Sequence, residues 1–155
     1  HGLVDVPAAP LEQISATECG RVFVYEQVDV GYSPVFTVQD EVLATQLVVD
    51  RVAGDEPIEV SNVRGSVLLE LRPAADGAPL GTLAPGEDAL SVPVELRVIR
   101  CDPHAVIESK KTFQLAVWVA VGSRETQHLV VPPEGELRAA LEVLIDECLR
   151  RESAG

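Results

Sequence analysis

Short runs in which Val, Leu and Ile alternate with polar residues recur along this chain and constrain its fold more than any other feature. Alternation sends successive side chains to opposite faces of a strand, so each run can bury one face and wet the other. Seven runs are expected as strands: 21–30, 42–52, 58–63, 66–72, 92–100, 112–121 and 126–131. In the first, Val22, Val24, Val28 and Val30 share a face. In the fifth, Val92, Val94, Leu96 and Val98 point inward while Glu95 and Arg97 point outward. Ala53-Gly54-Asp55-Glu56-Pro57 and Gly122-Ser123-Arg124-Glu125 are turns by composition, and 73–86 reads as a long connection. Strands of this number and spacing predict an all-β chain, an immunoglobulin-like antiparallel sandwich. After Pro132-Pro133 the period changes. Leu137, Leu141, Leu144, Ile145 and Cys148 form one stripe at helical spacing, which adds a single C-terminal helix within 133–151. Aromatics are only 4% of the chain, so the core must be aliphatic, and Trp118 is expected as its one large filler or, as the alternative, as an exposed contact residue.

Charge limits the function. Twelve Lys and Arg face 25 Asp and Glu, a net charge of −13 over 155 residues. Phosphate-backbone binding needs a basic surface, so nucleic acid is excluded as a partner, and an anionic membrane face equally so. Lys110-Lys111 is too small a patch to change this. The apolar run 115–121 is far too short to span a bilayer. At 46% hydrophobic residues the chain is nevertheless a folding sequence rather than an acidic tail.

Catalytic signatures do not assemble. Gly31-Tyr32-Ser33-Pro34-Val35 lacks the second glycine of a nucleophile elbow. Asp102, His104 and Ser109 form a triad by inventory only, and a hydrolase built on them would need residues from upstream. The carboxylates are scattered as solvated strand faces. The chain is expected not to be an enzyme and to need no cofactor. An alternative is metal handling by Cys101, His104 and Glu108, joined by His128, since thiolate and imidazole suit zinc or copper. A structural zinc site usually brings two paired ligand clusters; only one is visible, so no metal is expected.

Two stretches echo each other. Leu3-Val4-Asp5-Val6-Pro7 leads through Leu11 and Ile14 to Glu18-Cys19-Gly20-Arg21. Leu129-Val130-Val131-Pro132 leads through Leu137, Leu141 and Leu144 to Glu147-Cys148-Leu149-Arg150. The echo suggests a tandem repeat. Residues 1–19 would then be a tag remnant, His1-Gly2, followed by the tail of an upstream related domain, and 20–155 the domain itself. With no Met anywhere, the chain is expected to come from a longer precursor. The segment Arg100-Cys101-Asp102-Pro103-His104-Ala105, the apolar strand after it and the closing Leu-rich helix with its Cys resemble a family of uncharacterised, secreted or membrane-anchored bacterial proteins with two related β-rich domains. The resemblance implies architecture and an extracytoplasmic location, not chemistry. Cys101 just past a strand and Cys148 on the inner stripe of the helix can both reach the core edge, so a disulfide between them is expected. Cys19 would be unpaired, or pair with the upstream domain. The function expected is a structural or protein-interaction module, with the upstream domain as its partner and another protein as a further candidate, without membrane insertion of its own.

Overall fold

A computed structural model describes residues 19–75, 77, 79–108 and 111–154. The alternating runs form two antiparallel sheets that face each other across one aliphatic core. The first sheet takes β1 (Val28–Tyr32), β3 (Val42–Arg51), β7 (Ala89–Val98) and β5 (Leu69–Pro73) in that order, with β2 (Thr37–Gln39) also on β3. The second takes β6 (Gly81–Leu83), β4 (Ile58–Arg64), β8 (Ala116–Val121) and β9 (Gln127–Val130). Strand alternation fills the space between: Leu43, Leu47 and Val49 from β3 and Val92, Val94 and Leu96 from β7 meet Val117, Val119, Val121 and Leu129 from the other sheet. Thr45 shares that inward face, and its buried hydroxyl lies 3.1 Å and 3.0 Å from the carbonyls of Ser33 and Val35, so it ties down the β1–β2 connection.

Among the described residues, three helical segments accompany the sheets. Residues 19–27 form helix α1 up to the start of β1, which corrects the expectation of a strand over 21–30. The even-numbered valines misled: Val24 and Val28 are also i and i+4 on a helix, and both are buried with Phe23 and Gln27 beside them, while Val22 is 55% exposed. The helix crosses the expected domain boundary at residue 20 without a break and feeds Val24 into this core. The rest of the upstream-tail segment, residues 1–18, lies outside the described residues. Gly20 sits against the side chain of Gln127 with no room for a Cβ, and Arg124 covers the ring of Phe23, so α1 lies beside the β8–β9 hairpin.

Helix α2 (Pro103–Glu108) follows Cys101, a second helix where the sequence predicts only the C-terminal one. Asp102 starts it by accepting the Ala105 N–H at 3.0 Å, with Pro103 next in the first helical position. Helix α3 (Gly135–Ala154) is the expected closing helix, with Leu137, Leu141, Leu144 and Ile145 buried. Its last turn reaches the β2–β3 turn through Arg151 and Glu41, 3.2 Å apart. Cys101 and Cys148 are joined in a disulfide, Cα to Cα 6.0 Å, which fastens α3 to the segment after β7.

Arg51 organises one end of the sheets. Its guanidinium donates to the carbonyls of Glu87, Glu56, Ala84 and Gly54 at 2.8–3.4 Å, joining the β3–β4 and β6–β7 loops. At the other end Gly65 lets the β4–β5 loop lie on the free edge of β5: a Cβ there would land on the Leu69 carbonyl oxygen, with the Leu71 nitrogen at 2.8 Å. A covered edge is less open to indiscriminate strand pairing.

Candidate functional site: the outer face of the second sheet

The distinctive surface follows from one irregularity in β4. The register between β4 and β8 slips between Val60 and Asn62, so Ser61 is an extra residue. Without the slip, alternation from Val60 would turn Val63 outward and Arg64 inward. With it, Val60 and Val63 both face the core and Arg64 faces out. On β8 the inward places belong to Val117, Val119 and Val121, so Trp118 takes an outward one. Trp118 is half-buried on the outer face, which corrects its expected place in the core. Asn62, Trp118 and His128 stand side by side across β4, β8 and β9. The Trp118 and His128 rings are 4.9 Å apart and tilted, and the Arg64 guanidinium lies 5.2 Å from the indole centre. Stacking and cation–π attraction thus cover the indole with polar neighbours.

A groove of about 700 Å³ opens beside this row. Its floor runs across Arg64, Ala116 and Val130, which are in register on the three strands. The small Ala116 between two larger side chains gives the depth. The walls come from Ser66 and Val67, from Leu69 to Leu71, and from Ile99, Lys111 and Gln114. Val67, Ile99 and Val130 are 59%, 52% and 44% exposed, so three of the chain's exposed large aliphatic side chains gather here. Among the described residues neither Arg64 nor Lys111 has an ion-pair partner, whereas Arg72, Arg97, Arg100 and Arg151 each hold a carboxylate. Glu70, also on the wall, is held by Arg97 at 2.9 Å. A second groove, of about 620 Å³ between β1 and the start of α3, has the opposite character and carries Asp29, Glu134 and Glu136.

Of the residues singled out in the sequence as metal ligands or catalytic groups, His128 alone lies at this groove among the described residues. Cys101 has its sulfur in the disulfide and is not free to be a thiolate ligand. His104 is exposed on α2, Glu108 ends that helix, and His128 is engaged with Trp118. Among the described residues no group of three or more His, Cys, Asp or Glu could hold a metal ion. Asp102 caps α2 and binds Arg100, and the Arg100 hydrogen bond followed by that of the Ala105 N–H holds its carboxyl below the usual aspartate range. Ser109 lies outside the described residues. Cys19 is exposed and unpaired. Among the described residues no helix is long and apolar enough to cross a membrane. The groove went unseen in the sequence because its walls come from segments far apart in the chain; the one available signal was the parity of β8, which turns Trp118 outward. Compared with family models, with curated proteins and with solved structures, the chain matches none.

Proposed function

We propose that this chain is a non-enzymatic interaction module of an extracytoplasmic protein, and that the groove on its second sheet is the contact surface. The observation that carries the reading is the gathering of Val67, Ile99 and Val130 with Arg64 and Lys111 in one recess. Exposed aliphatic side chains scattered singly need no explanation, but a cluster rimmed by polar groups marks a place of association. The disulfide supports the compartment, because such bonds persist where the surroundings are oxidising.

We further infer an immunoglobulin-like lineage. β1, β3, β7 and β5 stand in the order of strands A, B, E and D, and β4, β8 and β9 in that of C, F and G. β6 departs from that plan: it lies beside β4, as a strand after C would, yet follows β5 in the chain. The disulfide also departs, joining the β7–α2 segment to α3 rather than sheet to sheet. Membership in a tandem pair, with Cys19 facing an upstream relative, belongs to the same proposal.

The test is photocrosslinking in cells that make the full-length protein, with the photoreactive residue placed in turn at Val67, Ile99 and Val130. Val22, Val38 and Val143, equally exposed but away from the groove, serve as controls. Adducts to one discrete protein from the groove positions alone support the module. Adducts that are absent, or equal from both sets, overturn it.

A further inference from the structure

The charge of the groove says what it takes. The chain carries −13 overall, and most of its arginines are already engaged. Arg51 is spent on four carbonyls, Arg124 and Arg138 lie over the rings of Phe23 and Phe113, and four others bind carboxylates. Arg64, itself over the Trp118 ring, and Lys111 both open onto the groove, and neither meets a carboxylate among the described residues. Lys111 is one of only two lysines in the sequence. Two uncompensated cations in one apolar recess of an acidic protein make a local inversion of sign, and an incoming anion is drawn to that place and repelled by the rest of the surface.

The apolar part narrows the choice. Val67, Ile99 and Val130 offer separate aliphatic contacts around the recess, and Ala116 leaves the floor open between Arg64 and Val130. A uronic or sulfated glycan would use the cations but leave those aliphatic contacts without a partner. An extended peptide uses both, since the side chains on the face it turns to the groove can be carboxylates at one place and aliphatic groups at the next. A second copy of the chain is opposed by its own charge.

We propose that the groove binds an extended segment of another protein that carries aspartate or glutamate and aliphatic residues in turn on one face, the carboxylates meeting Arg64 and Lys111 and the aliphatic side chains seating among Val67, Ile99 and Val130. This rests on reading the groove as a contact surface and adds the chemistry of the partner. Trp118 is the only tryptophan in the chain and touches Arg64, so its fluorescence reports directly on this face.

The experiment titrates the oxidised protein with an acetylated octapeptide that carries glutamate and valine in turn at every second position with serine between, with its counterpart bearing lysine for glutamate, and with polygalacturonate. Trp118 emission and the methyl resonances of Val67, Ile99 and Val130 are followed. The acidic peptide should give saturable shifts at the groove that weaken as salt is raised, and the basic peptide none. Arg64→Glu with Lys111→Glu should weaken binding at least about tenfold, and Val38→Glu should leave it unchanged. An equal response to the basic peptide, a response to polygalacturonate alone, self-association instead of peptide binding, or no saturable shift at millimolar peptide would each overturn the proposal. Crosslinking in cells to a basic or neutral segment would likewise overturn the acidic partner while leaving the interaction module standing.

Discussion

Replacing Cys101 and Cys148 together by alanine should cost this domain much of its thermal stability. The bridge spans 47 residues, from the end of β7 through α2, β8 and β9 to the last turns of α3. In the chain-entropy treatment, releasing a loop of that size returns about 4 kcal/mol of freedom to the unfolded state. For 155 residues the entropy of unfolding near the midpoint is roughly 0.33 kcal/mol per kelvin, so Tm should fall by about 12 °C. Calorimetry on the oxidised protein and the double variant measures this, and urea unfolding adds a second sign. The bridge acts on the unfolded chain, so its removal should steepen the denaturant dependence as more surface becomes exposed. A Tm loss under about 3 °C would refute the reasoning, and would mean that the stripe of Leu137, Leu141, Leu144 and Ile145 holds α3 unaided. A large loss with unchanged urea dependence would refute the entropic part, placing the effect in native packing.

Three further outcomes follow from the geometry. Gly65→Ala should destabilise by at least about 2 kcal/mol in chemical denaturation, because the new Cβ meets backbone at Leu69 and Leu71, whereas Gly31→Ala, with open space around it, should be neutral or slightly stabilising. Arg51→Lys should cost about 2 kcal/mol, since an ammonium cannot reach the carbonyls of two loops at once; an unchanged midpoint would remove Arg51 from its role. Burial pushes the Tyr32 phenol well above its ordinary value, and its hydroxyl donates to the Val131 carbonyl at 2.9 Å. A raised folded-state pKa leaves stability intact below the unfolded tyrosine value and removes it above, so stability should fall by up to about 1.4 kcal/mol per pH unit beyond about pH 10. Tyr32→Phe should flatten that fall, and identical profiles for the two proteins would count against it.

The strand runs were legible in the sequence where one face is buried and the other wet, as in β3 and β7. They misled where valine spacing fits both periods, as at Val24 in α1 and Val28 at the start of β1. Helix α2 was signalled by Asp102 before Pro103, a cap followed by a first-turn proline, but that pair also opens loops. The β2–β3 turn gave no signal, because Asp40 and Glu41 both adopt positive φ where glycine or asparagine would be expected. β6 is three residues inside a Gly- and Pro-rich stretch, and only Leu83 is buried from it. The groove was the least legible feature. A one-residue bulge at Ser61 decides which way Arg64 faces, and alternation alone cannot place such a bulge.

The state of the three cysteines in intact cells tests most directly whether this is a disulfide-closed extracytoplasmic module. Cells making the full-length protein are quenched in acid, alkylated, reduced and alkylated again with a heavier reagent, and the peptides are mapped by mass. Cys101 and Cys148 should carry only the second reagent and appear together as one bridged peptide in the unreduced digest. Cys19 should carry the first reagent, or appear bridged to a cysteine outside residues 20–155. A Cys19–Cys101 or Cys19–Cys148 peptide would contradict the tandem arrangement, and three cysteines all bearing the first reagent would contradict the compartment.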